Sequence, residues 1–216
     1  MNIPQQKKIV VLISGSGSNL QSLINAEQQG TVNARIVGVI SNKPDVYGLQ
    51  HAAKANISTA VLSHKAFSAR EDYDAALLAL VQQYQPDLVV LAGFMRILTP
   101  AFVAPLYGKL MNIHPSLLPK YPGLHTHQRA LDAGDTKAGA TVHFVSPELD
   151  GGPIILQTSV PVLTNDTAET LAQRVLQQEH IIYPQAVRWF CEDRLRCHRD
   201  HATLDDKILP RTGGNS

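Results

Sequence analysis

Asn112 and His114 stand one residue apart at the end of the apolar run Lys109 to His114. If that run is a strand, alternation puts both side chains on one face, where both can meet one ligand. Pro115 follows at once and biases His114 toward extended backbone, so the strand ends there and a loop begins. An amide beside a histidine suits acyl or formyl transfer to an amine, which passes through a tetrahedral oxyanion that hydrogen-bond donors must stabilise. The same reaction takes a proton from the attacking nitrogen and delivers one to the leaving nitrogen, work fitted to a side chain that titrates near neutrality. A single strand-end histidine is more often structural, and Asn112 beside it shifts that balance. Asp150, in Leu149-Asp150-Gly151-Gly152, would orient His114 or hold a bridging water; its spacing equally allows a plain turn aspartate.

A second segment with chemical potential is Ser14-Gly15-Ser16-Gly17-Ser18-Asn19, a glycine-rich turn opening a helix. Free amides and the helix dipole there favour an anion such as phosphate. It is neither GxGxxG, which would need glycine where Leu20 stands, nor GxxxxGK[ST], since Gln21 replaces the lysine. Taken alone it reads equally well as a tight turn with Ser or Asn as the helix N-cap.

The elements that must hold these residues follow from hydrophobic period. Apolar runs at Lys8 to Ser14, Arg35 to Ser41, Ser58 to Leu62, Asp87 to Leu91, Lys109 to His114, Thr141 to Val145 and Pro153 to Val160 read as strands. Helical spacing at Asn19 to Gln28, Gly48 to Asn56, Ser68 to Tyr84 and, more weakly, Pro100 to Leu106 separates the first five. The pattern predicts an α/β fold, an open twisted, mostly parallel sheet with helices on both faces. The last two strands have no room for a helix between them and should pair antiparallel, with Asp150 in their loop. Asp166 to Phe190 reads as one long helix with Asp166 or Thr167 as N-cap and a kink at Pro184, which frees the His180 carbonyl beside Glu179. In open α/β sheets ligands bind beyond the carboxyl ends of strands, and 14–19, 93–98, 112–114 and Asp150 all follow strands in this way. Pro210 to Ser216 reads as a loose tail.

Composition narrows the partners. The chain has 216 residues, with 19 Lys and Arg against 18 Asp and Glu, so no electrostatic footprint for nucleic acid or a membrane is present. No run reaches transmembrane length, and the apolar stretch after Lys8 is too short for a signal peptide. Cys191 and Cys197 form no CxxC pair, which points to a reducing, cytoplasmic setting and a small-molecule ligand. His125 and His127 make an HxH pair without a convincing third ligand, so no metal is expected. They belong to a Pro- and Gly-punctuated stretch whose loop, Pro115 to Thr126, is expected to close over substrates and exclude water.

Four motifs carry a resemblance: Gly93-Phe94-Met95-Arg96-Ile97-Leu98, Asn112-Ile113-His114-Pro115-Ser116-Leu117-Leu118-Pro119, Tyr121-Pro122-Gly123 and Glu148-Leu149-Asp150-Gly151-Gly152-Pro153. With them the chain resembles, over nearly its whole length, the bacterial glycinamide ribonucleotide formyltransferase family of purine synthesis. The resemblance implies a single formyltransferase domain over 1–216, with a Rossmann-like phosphate-binding half near 1–100 and a folate and catalytic half near 101–200. It implies 10-formyltetrahydrofolate as co-substrate and glycinamide ribonucleotide as acceptor, with Asn112, His114 and Asp150 catalytic. Gly17, Ser18 and Asn19 would bind the acceptor's phosphate and Glu179 its ribose. Arg70, Met95, Arg96, Ile97, Leu98, Asn112, Ser146, Pro147, Glu148, Leu149 and Asp150 would bind folate, the two arginines pairing with its carboxylates. Arg70 reads nearly as well as a solvated charge, and Met95, Ile97 and Leu98 as core. A weak homodimer accompanies this reading. Related enzymes with other acceptors, or a formyltetrahydrofolate hydrolase, are the nearest alternatives, and a nicotinamide-binding module is a more distant one.

Overall fold

The structure is a computed structural model that describes residues 6–210 and 214–215. The chain divides into two compact units, Met1–Met111 and Asn112–Ser216. Unit 1 holds strands β1 (Lys7–Ile13), β2 (Ala34–Ser41), β3 (Thr59–Val61) and β4 (Leu88–Leu91), with helices α1 (Ser18–Gln28), α2 (Tyr47–Lys54), α3 (Arg70–Gln83) and α4 (Pro100–Val103). Its strands are hydrogen-bonded in the order β4-β1-β2-β3, all parallel. Val10 to Ile13 of β1 are wholly buried because strands flank β1 on both sides and helices cover both faces, which is why this run is apolar without alternation. By the right-handed crossover rule, the steps from β1 to β3 put α1 and α2 on one face, where they pack together. The connection through α3 returns to the other side of β1 and so covers the opposite face. The order therefore reverses between β1 and β4, and the two loops leaving that point are Ser14 onward and Ala92 onward.

Unit 2 begins inside β5 (Leu110–His114) and continues through α5 (Thr126–Asp132), β6 (Lys137–Phe144), β7 (Ile154–Pro161) and α6 (Ala168–Cys191). β6 and β7 pair antiparallel, as their short connection requires, and α6 packs across both. β6 starts four residues earlier than its apolar run suggests. The extension carries Gly139, where a Cβ would collide with the Thr158 carbonyl of the paired strand. Thr167, not Asp166, caps α6, in a reciprocal box with Thr170. Asp166 instead takes a bidentate pair from Arg174 at 2.7 Å and 2.7 Å. α6 runs on through Pro184, whose nitrogen cannot donate to the His180 carbonyl.

Beyond α6 the polar segment is not irregular. β8 (Leu195–Cys197), β9 (Ala202–Leu204) and β10 (Lys207–Ile208) form a three-stranded antiparallel sheet. The β9–β10 turn places Asp205 and Asp206 at φ 51° and 61°, the left-handed pair a two-residue hairpin needs. Of the tail expected to be loose, 211–213 and 216 lie outside the described residues, while a two-residue strand β11 (Gly214–Asn215) pairs parallel with β7. Among the described residues no helix is long and apolar enough to cross a membrane.

Candidate active site

β5 delivers Asn112 and His114 on one face of the strand, and β6 delivers Thr141 and His143 with the same two-residue spacing. His114 is 6% exposed and His143 2% exposed. The loop between β6 and β7 brings the carboxylate. Its base is closed by the Phe144 N–H donating to the Pro153 carbonyl at 2.9 Å. Gly152 passes so near the Phe144 carbonyl that a Cβ there would collide with it. Asp150 takes a left-handed backbone at φ 50°, and its side chain turns in toward the two histidines.

The Asp150 carboxylate joins three groups of unit 2. Its Oδ2 accepts from the Gly123 N–H at 2.8 Å and lies 3.5 Å from His114 Nδ1. Its Oδ1 is 3.9 Å from His143 Nε2. Asp150 therefore reaches His114 directly, at an ion-pair distance longer than an ordinary hydrogen bond. The other ring nitrogen of His114, Nε2, donates to the Tyr121 carbonyl at 2.9 Å. The Asn112 amide lies against His143, Nδ2 to Nε2, at 3.2 Å. Burial pushes His143 well below the usual histidine range, and the nearby His114 adds to this; the hydrogen bond to the Phe144 carbonyl and the Asp150 charge oppose it without prevailing. An amide donor, a histidine and a carboxylate are thus held together in one cluster, which is what stabilising an oxyanion and moving a proton require.

The loop after His114 is held by a buried knot. Thr141 Oγ1 donates to the Ser116 carbonyl at 2.6 Å and accepts from Leu118 N–H at 3.1 Å and Gln157 Nε2 at 2.8 Å. Past this anchor, Tyr121 and His125 adopt left-handed backbone, and α5 begins at Thr126, so His127 belongs to a helix and not to the loop. Burial lowers the His127 pKa, with His114 nearby adding to the effect. A cavity of about 220 Å³ opens beside the loop, lined in part by Ser116, Tyr121, His127 and Lys137, but not by Asn112, His114 or Asp150. Among the described residues no three His, Cys, Asp or Glu are grouped to hold a metal.

In unit 1 the two switch-point loops meet: the Met95 N–H donates to Ser14 Oγ at 2.8 Å. The residue preceding α1 is Gly17, at φ 75°, and no side chain caps the helix, contrary to a Ser or Asn cap. A Cβ on Gly17 would press on the Gly48 backbone, so this turn needs glycine for both conformation and space. Arg96 lies over the Tyr73 ring at 4.6 Å, and burial, outweighing Arg96, drives the Tyr73 hydroxyl up to about 12. Leu98 is buried, as core, whereas Met95 and Ile97 are 67% and 55% exposed and so are not core filling. Arg70 is exposed in the first turn of α3 and makes no ion pair among the described residues. In unit 2, Ser146 is half-buried and Pro147, Glu148 and Leu149 are exposed on the Asp150 loop, and Glu179 is buried on α6. Sequence reasoning missed His143 and Thr141. The signal was there: a polar pair at positions i and i+2 of an apolar strand, the same pattern that singled out Asn112 and His114.

The formyl transferase family profile matches residues 7–187. The chain belongs to the formyl transferase family. It is 53% identical over 205 residues to the phosphoribosylglycinamide formyltransferase of Escherichia coli, covering 95% of this chain and 97% of that one. It is 51% identical over 207 residues to the corresponding Haemophilus influenzae enzyme, covering 96% and 98%. Among solved structures, the phosphoribosylglycinamide formyltransferase of Coxiella burnetii superposes with a TM-score of 0.93 at 48% identity, over 98% of this chain and 99% of that chain. The formyltransferase family resemblance and the α/β, mostly parallel sheet expected from sequence are both borne out. The chain is a formyltransferase of the glycinamide ribonucleotide branch.

Proposed function

We propose that this protein transfers the formyl group of 10-formyltetrahydrofolate to the amine of glycinamide ribonucleotide in purine biosynthesis, the whole chain acting as one cytoplasmic formyltransferase domain. The observation that carries the site assignment is the cluster of Asn112, His114 and Asp150, with the carboxylate 3.5 Å from the histidine ring. The acceptor amine attacks the formyl carbon, and the carbonyl oxygen becomes an oxyanion that the Asn112 amide and His114 stabilise. The new C–N bond leaves a proton on the attacking nitrogen. His114, oriented by Asp150, helps relay that proton to N10 of the folate as the C–N10 bond breaks, releasing tetrahydrofolate.

The remaining roles follow the family resemblance. Gly17, Ser18 and Asn19 bind the acceptor's phosphate through the uncapped start of α1, supported by the absence of a side-chain cap there. Glu179 accepts from ribose hydroxyls. Met95, Arg96, Ile97 and Leu98 contact folate, as does, by the same resemblance, the 146–149 loop, and Arg70 pairs with a folate carboxylate. The 1–100 half carries the phosphate-binding turn, and the 101–200 half carries the chemistry and the remaining folate contacts. Weak self-association belongs to the same reading and is checked by sedimentation velocity across a concentration series.

The test measures tetrahydrofolate release from 10-formyltetrahydrofolate with and without glycinamide ribonucleotide. Release that depends on that acceptor supports the proposal. Release without it would make the protein a hydrolase, and release only with another amine would move it to a different acceptor.

A further inference from the structure

His143 is a buried titratable group among the proposed catalytic residues, and the formyl-transfer scheme above does not use it. Its Nδ1 lies 2.9 Å from the Phe144 carbonyl. A carbonyl can only accept, so Nδ1 carries the proton, and in a neutral ring Nε2 is bare. Burial favours the neutral ring. That bare nitrogen faces the Asn112 amide at 3.2 Å, and it stays 3.9 Å from the Asp150 carboxylate, as a lone pair facing an anion should. Were the amide reversed, its oxygen would meet a nitrogen lone pair with no proton between them.

We propose that His143 is a positioning residue that acts through Asn112: its Nε2 accepts one amide N–H and so fixes which end of the amide serves the reaction. The second N–H is then held as a donor without having to be reoriented as the oxyanion forms. Gly152 is part of the arrangement, because its lack of a side chain lets the Asp150 loop close against the carbonyl that sets the His143 tautomer. The proposal rests on the catalytic role given to Asn112 in the formyl-transfer reading.

The experiment is a double-mutant cycle of His143→Leu and Asn112→Ala, reading kcat and KM for both substrates, with melting temperature as the fold control. Removing Asn112 should cost on the order of 10² to 10³ in kcat. His143→Leu should lower kcat at least roughly tenfold, by less than Asn112→Ala does, with KM unchanged within about twofold; a buried hydrogen bond lost to an isolated amide has that scale. In the Asn112→Ala background the same His143→Leu change should cost less than about twofold, since residues acting as one unit are not additive. His143→Gln, whose carbonyl can still accept, should recover most of the lost turnover. Full additivity, or a loss confined to KM, would overturn the proposal. Normal turnover in Asn112→Ala alone would instead sink the reading of Asn112. If the leucine variant does not fold, the ¹⁵N spectrum of the wild-type His143 ring decides: an unprotonated Nε2 supports the assignment, and a protonated one refutes it.

Discussion

Replacing Thr141 by valine keeps the branched shape and removes one hydroxyl that makes three hydrogen bonds in the buried knot. Thr141 is 0% exposed, so water cannot substitute. Gln157 Nε2 keeps its bond to the Leu118 carbonyl at 2.8 Å, but the Ser116 carbonyl and the Leu118 N–H lose the partner they have in Thr141. Two stranded backbone groups, at about 1–3 kcal/mol each, predict a loss of roughly 2–6 kcal/mol, a large share of the ~5–15 kcal/mol that holds a domain folded. Thr141→Ser keeps the hydroxyl and should cost about 1 kcal/mol for the missing methyl group. Urea unfolding reads both variants, with an unchanged denaturant slope showing that stability has changed and the surface exposed on unfolding has not. Turnover should fall with Thr141→Val as well, because the segment it anchors leads to Tyr121, whose carbonyl accepts from His114. A loss below about 1 kcal/mol for Thr141→Val, or equal losses for the two variants, would refute the idea that this hydroxyl anchors the loop.

Gly152→Ala must push its Cβ into the Phe144 carbonyl, so it should cost roughly 1–3 kcal/mol in melting experiments and displace Asp150 enough to lower kcat; a fully active, equally stable variant would contradict this. Stability should fall as pH drops from 7 to about 5.5. The folded-state pKa values of His143, His127 and His180 lie below the unfolded values, chiefly through burial. In that window the unfolded chain binds more protons, with a slope of at most about 1.4 kcal/mol per pH unit for each such histidine. Burial raises Glu27 and works in the opposite sense, so the telling comparison is with His143→Gln, which should show the shallower pH dependence. Equal slopes would show that His143 does not contribute.

The parallel half of the fold is legible because β1 and β4 are covered on both faces and so read as unbroken apolar runs, while Gly17 and Gly48 mark a turn that tolerates no side chain. The Asn112 and His114 pair is legible from strand alternation. What stays hidden depends on partners distant in sequence. Lys137 to Ala140 is strand only because Thr158 pairs with it, and Gly139 is required by that pairing and not by local propensity. α5 is seven residues long, too short for a periodic signal, and the Asp205-Asp206 hairpin lacks the glycine that usually announces such a turn. His143 was invisible as chemistry because its meaning lies in contacts to residues 31 positions before it, not in its own neighbours.

The most direct test of the account is the turnover of His114→Ala on 10-formyltetrahydrofolate and glycinamide ribonucleotide, with substrate binding and melting temperature measured alongside. We predict a loss of kcat on the order of 10² to 10³ with both substrates still bound and the fold intact. Near-normal turnover in a folded His114→Ala protein would contradict the assignment of the proton-transfer step to this histidine.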